Sequence, residues 1–234
     1  MAAESTRTGS TGRMAADMRG GYGQIVTLLT AGLLSGIVSA ATEFTSGQLF
    51  PGLVFGLLVT GSLALCGRMP RGWRTLWFIA VAGITLPISN MLMGVAQLLL
   101  PWHESIVRNT TVESPSPLAL FLGGAIGGFL ILASALLLFT RERASRALVV
   151  AIFWSLIGGV LGIVGWALGP SLGLALWLGL HSLHLTLPGE GLRNALGWTS
   201  HTYSILIVWQ TGIAVLLGFL LRRRPLGSPL QERT

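Results

Sequence analysis

The chain has 234 residues, of which 52% are apolar and only 10% charged, with 32 glycines and a formal charge of +7. A water-soluble domain carries roughly a quarter charged residues around a single core, so this composition excludes an ordinary soluble fold. It also argues against nucleic acid as a partner, because the basic residues sit at the ends of apolar runs and not in a stripe on a polar surface.

All fifteen basic residues are Arg and none is Lys, which points to a GC-rich, bacterial genome. The single cysteine, Cys66, rules out a disulfide within the chain.

Residues 1–21 are polar, rich in Ser, Thr, Gly and Arg, and carry no apolar period, so a disordered cytoplasmic tail is expected there. Six apolar runs long enough to cross the roughly 30 Å hydrocarbon core of a bilayer follow, at 22–41, 49–66, 76–100, 118–139, 147–168 and 203–221. A backbone in lipid must satisfy its own hydrogen bonds, so each run reads as a helix. The expected fold is all-α: a polytopic membrane bundle of about six transmembrane helices within 22–221, with 222–234 as a second cytoplasmic tail.

Orientation follows from the arginines. Thirteen lie before the first run, between the second and third, between the fourth and fifth, and after the last; only Arg108 and Arg193 lie on the opposite side. The alternation predicts both termini in the cytoplasm of a bacterial inner membrane. A rival for the first run is a cleaved signal peptide, since Val38-Ser39-Ala40 resembles a peptidase site.

Between the fifth and sixth runs, 169–202 forms an outer-side segment. Its apolar part, 171–187, opens at Pro170 and closes at Pro188-Gly189, and reads as a re-entrant or interfacial helix, although its leucines alternate as in a strand. A short amphipathic piece, 190–198, is expected to continue along the membrane surface. Asn109-Thr110-Thr111 is a glycosylation sequon that matters only in a eukaryotic secretory pathway.

Nearly every run carries small residues four apart: Gly32/Gly36/Ala40, Gly52/Gly56, Gly123/Gly127, Gly124/Gly128 and Gly158/Gly162. Such pairs let helix backbones approach closely where no hydrophobic force drives association. They serve a tight bundle or faces that slide during transport; in an accessory subunit they would dock onto a membrane partner, or self-associate.

In the third run Gly83, Pro87, Asn90, Gly94 and Gln97 make one stripe of small, polar and helix-distorting residues. Asn90, Gln97 and Pro87, with Gln210, Thr211, Ser35 and Ser39 facing them, either bond neighbouring helices or line a polar cavity.

On the outer side His181 and His184 are three apart, and with His201 form a weak candidate metal set. Gly169-Pro170-Ser171-Leu172-Gly173 matches the serine-hydrolase pattern, but it lacks the strand-turn-helix setting that gives the pattern meaning. No phosphate loop or dinucleotide fingerprint is present, no catalytic residue is assigned, and no cofactor is implied. The leading expectation is a small-solute binding or transport component embedded in the lipid bilayer. The alternative is a non-catalytic accessory subunit or assembly factor of a larger membrane complex.

Overall fold

The computed structural model describes residues 21–46, 48–67, 72–99, 103–107, 110–140, 143–169, 171–172, 175 and 191–222. Within these, the side chains of 41–46, 103–107, 110–114 and 191–203 are not described.

Six helices carry the fold: α1 (Gly21–Ser46), α2 (Leu49–Leu65), α3 (Trp73–Leu99), α4 (Pro117–Phe139), α5 (Ala144–Ala167) and α6 (Gly191–Arg222). Five contain spans long and apolar enough to cross a membrane, and α2, at 17 residues, is the short one. At 1.5 Å per residue α2 is about 25 Å long, the lower limit for a crossing. The chain is a multi-pass helical membrane protein, and its helices coincide with the six apolar runs of the sequence, with α6 starting well ahead of its run.

Local chemistry sets the helix ends. Ser116 caps α4, its Oγ accepting from the Ala119 N–H at 3.1 Å, and Pro117 opens the first turn where no N–H is needed. Gly67 and Gly72, with φ of +70° and +63°, bound the turn between α2 and α3 in a conformation that other residues resist.

The helices form a closed ring. Each packs against its neighbour in sequence, and α1 closes the circle on α6. Each contact between neighbours around the ring is antiparallel: Gly36 meets Ile207 while Gly218 meets Ile25, and Gly123 meets Met93 while Gly127 meets Ser89. The ring therefore has one end holding residue 21, the ends of α2 and α4, the starts of α3 and α5 and residue 222, and an opposite end holding the other helix termini. Arg74, Arg143, Arg146 and Arg222 all lie at the first, here called the arginine end. There the Arg222 guanidinium sits 4.5 Å from the centre of the Tyr22 ring.

Burial differs from that of a soluble protein: large apolar side chains also cover the outside, and several polar ones are enclosed. Val26, Leu29, Val149, Phe153, Leu76 and Trp77 face outward, while Gln24, Ser35, Ser39, Gln97 and Gln210 are buried. Apolar side chains gain little by leaving lipid, so close packing and hydrogen bonds hold such a bundle together. A Cβ added to Gly52 would collide with the Ala82 carbonyl, and one on Gly124 with the Gly158 carbonyl. On Gly32 it would lie 2.7 Å from Ala214 Cβ, and on Gly36 2.6 Å from Ile207 Cα. Gly56 meets Ile79, Gly128 and Gly158 meet one another, and Gly162 meets the Leu120 carbonyl.

Two features differ from the sequence reading. An antiparallel hairpin, β1 (His103–Val107) with β2 (Thr110–Ser114), joins α3 to α4, with Val107 paired to Thr110. Residues 191–198 of the expected surface piece are not a separate element but the first turns of α6, which runs unbroken for 32 residues from Gly191. The proposed interfacial helix at 171–187 and both expected tails lie almost wholly outside the described residues. Val38-Ser39-Ala40, the peptidase-like tripeptide, sits within α1, with Ser39 and Ala40 buried in the bundle.

Candidate functional site

The two halves of the ring are filled differently. In the half toward the arginine end, Leu28, Phe55, Val59, Leu63, Phe78, Ile131, Leu136, Ile213 and Leu217 are buried in a continuous core. Phe78 and Phe139 meet across it in a tilted pair with ring centres 4.9 Å apart.

Toward the opposite end that packing gives way to a cavity of about 340 Å³. Helix α3 supplies Thr85, Leu86, Ser89, Asn90 and Met93; α4 supplies Leu120, Gly123 and Gly124; α5 supplies Gly162 and Trp166; and α6 supplies Ile205, Leu206 and Trp209. Gln48, before α2, and Pro115, before α4, complete the lining at the helix ends.

Trp209 stands between the two regions. Its indole Nε1–H donates to the Gly124 carbonyl at 3.0 Å, and its ring lies 6.4 Å from that of Phe55 in the packed half. Gly127 leaves the space this ring occupies, since a Cβ there would come within 2.9 Å of it. The hydrogen bond fixes the indole, and the missing side chain admits it.

Ser89 is the chemically open group in the wall. Five other helical hydroxyls return their proton to their own backbone, Thr27 to Gly23, Thr60 to Gly56, Thr85 to Val81, Ser134 to Ile131 and Ser155 to Ile152, at 2.7 to 2.9 Å, while Ser204 and Thr211, like Ser89, have no partner. Ser89, only 8% exposed, has no hydrogen-bond partner; its Oγ lies against Gly127 with almost no surface of its own, and a side-chain rotation is what brings it to the cavity. A buried hydroxyl without a partner costs about 1–3 kcal/mol, so water or a ligand in the cavity is the natural source of one.

Of the sequence-predicted residues, Asn90 lines the cavity, one residue from Ser89. Gln97 does not. Its Oε1 accepts from the Ser116 N–H at 2.9 Å, completing from another helix the reciprocal cap that a glutamine at the third helical position usually supplies.

Gln210 is also structural. Its Oε1 accepts from Ser35 Oγ, and its Nε2 donates to Ser39 Oγ at 3.2 Å, tying α6 to α1. Ser39 in turn reaches the Pro51 carbonyl at 3.3 Å, which brings in α2. Thr211 lies at the contact between α6 and Gly32, with its hydroxyl unpartnered and outside the lining. Pro87 lies within α3 beside the lining residue Leu86, but is not itself in the wall. Nothing in the structure explains why both polar atoms of Gln24, buried near the arginine end, lack partners.

The expected metal set falls outside what can be placed: His181 and His184 are not among the described residues, and the His201 side chain is not described. Among the described residues no group of three or more His, Cys, Asp or Glu could hold a metal ion.

Thr85, Ser89, Trp166 and Trp209 were missed by the sequence reading. At 100° per residue, the wall that α3 presents is centred about a quarter turn from the Gly83–Gln97 stripe, and Asn90 stands at the border of the two. The signal that could have found the wall is the Thr85, Ser89, Met93 spacing of four, which places two hydroxyls on one face.

Searches against protein-family models, curated proteins and solved structures return no match for this chain.

Proposed function

We propose that the chain is a membrane-embedded binding component for a small uncharged solute, with the cavity between α3, α4, α5 and α6 as its binding site. The observation that carries this reading is the unpartnered Ser89 hydroxyl, buried in a cavity wall that also presents Asn90 and two tryptophans. Functional pockets of about 300–1,000 Å³, apolar with a few polar groups, have this character.

The arginine distribution supports an orientation with the packed half and both termini in the cytoplasm, so that the cavity lies in the outer half of a bacterial inner membrane. Binding then occurs from the outer side, and the core below Trp209 separates the bound molecule from the cytoplasm. Passage inward requires that core to rearrange. No charged side chain lines the cavity among the described residues, which favours transport driven by the solute gradient or by a partner protein over ion coupling.

The alternative reading, an accessory subunit, calls for small-residue faces turned toward lipid. Gly32, Gly36, Gly52, Gly56, Gly124, Gly128, Gly158 and Gly162 instead meet helices of the same bundle, which favours the binding reading.

The test is purification in mild detergent with mass spectrometry of retained small molecules and co-purifying proteins. A retained solute that is lost on Asn90→Leu and kept on Gln97→Leu is the expected result. A stoichiometric protein partner with no solute in either form would reverse the preference.

A further inference from the structure

We infer that the occupant of the cavity is a neutral, mainly apolar molecule with one or two hydrogen-bonding groups, its polar group on Ser89 and Asn90 and its apolar body against Trp166 and Trp209. The inference rests on reading the cavity as a ligand site, and it follows from which lining groups still have hydrogen-bonding capacity.

The polar side chains in the lining, apart from the indoles, are Gln48, Thr85, Ser89 and Asn90. Thr85 has already given its proton to the Val81 carbonyl at 2.7 Å and keeps only acceptor lone pairs. Trp209 has given its N–H to Gly124, so it offers the ligand a ring and no donor. Gln48 lies on the rim, before α2, and is exposed. That leaves the Ser89 hydroxyl, unpartnered and packed toward Gly127 until a side-chain rotation presents it to the cavity, and the half-buried Asn90 amide, each able to donate and accept.

This inventory excludes two large solute classes. An anion or cation would sit at membrane depth with no described countercharge in the wall, a strongly unfavourable state. A sugar or other polyol would bring more hydroxyls than Ser89 and Asn90 can satisfy. An alcohol, amide or carbonyl group on an apolar or aromatic body uses what the wall offers. The tryptophans with Leu86, Met93 and Leu206 complete its apolar surroundings.

Three probes of nearly equal size separate these possibilities on the full chain in lipid nanodiscs: 2-naphthylmethanol, 2-methylnaphthalene and 2-naphthoate. The alcohol is expected to bind saturably and at least about tenfold more tightly than the hydrocarbon, one hydrogen-bonded group's worth of discrimination, with the carboxylate not binding at the same concentration. The Ser89→Ala, Asn90→Leu double variant is expected to lose the alcohol's advantage while still binding the hydrocarbon, which shows that the cavity is intact.

Equal affinity for alcohol and hydrocarbon in the native chain, binding of the carboxylate, or no saturable binding of the alcohol overturns the inference. A solute that co-purifies, is charged or polyhydroxylated, and is lost on Asn90→Leu would also overturn it while leaving the ligand reading in place. Displacement of the naphthyl alcohol by 1-dodecanol held in the nanodisc assigns the ligand to the bilayer, and failure to displace it assigns a water-borne one; the chemical class stands in both cases.

Discussion

The two halves of this bundle are built from the same six helices and differ in what fills the ring. Toward the arginine end, Phe55, Phe78, Leu136 and Leu217 close the centre with interlocking apolar side chains. Toward the other end the same helices present Ser89, Asn90, Gly123, Gly124 and Gly162 around open space. Small side chains draw helix backbones together but fill no volume themselves, so where two glycine pairs face one another on α4 and α5 the interior beside them is left open. Packing and cavity are thus consequences of where along each helix the large residues stop.

That contrast predicts where substitutions hurt. The largest effect is expected at the glycine contacts: Gly124→Leu drives a side chain into the Gly158 backbone and should abolish folded protein in detergent, whereas Gly94→Leu, with nothing within 4 Å of its Cβ position, should leave yield unchanged. Size-exclusion profiles of the two variants compare them directly.

Next comes the packed half. Phe78→Ala removes a fully buried ring packed against Phe139 and should cost about 3 kcal/mol in reversible unfolding in mixed micelles, in the range for large-to-small core changes. Met93→Ala, in the cavity wall, should cost less than about 1 kcal/mol, because it enlarges a space that already exists. Similar costs for the two would remove the distinction between the halves.

A smaller loss is expected at the link between α1 and α6. Gln210→Leu strands the Ser35 hydroxyl and removes the amide that donates to Ser39 and should cost about 1–2 kcal/mol, near the upper end for hydrogen bonds between membrane helices. Asn90→Leu should change stability by less than about 0.5 kcal/mol while abolishing solute retention, the smallest structural effect paired with a large functional one.

The helices were readable from sequence because a lipid environment demands long apolar runs and self-satisfied backbones, and arginine placement assigned each turn to a side. The site was only partly readable. Asn90 was identified because an amide at mid-membrane is conspicuous. Ser89 was not, because a serine in such a helix usually bonds its own backbone, and only coordinates show that this one does not. Gln97 and Gln210 looked like cavity residues for the same reason as Asn90, but sequence does not reveal that the Ser116 N–H and the Ser35 and Ser39 hydroxyls lie within their reach.

The hairpin at His103–Ser114 did carry a signal in its β-branched residues, Ile106, Val107, Thr110, Thr111 and Val112, with only Arg108 and Asn109 between the paired ends. It was passed over because a membrane chain invites reading every connection as irregular loop.

The most direct measurement uses the lone cysteine to advantage. In a Cys66→Ser background, cysteines placed at Asn90 and at Leu63 are exposed in sealed vesicles to a membrane-impermeant thiol reagent added from one side or the other. The expected result is that Asn90→Cys reacts only from the side opposite the arginines and Leu63→Cys from neither. Labelling of Asn90→Cys from the arginine side, or of both positions alike, would contradict a bundle open in one half and closed in the other.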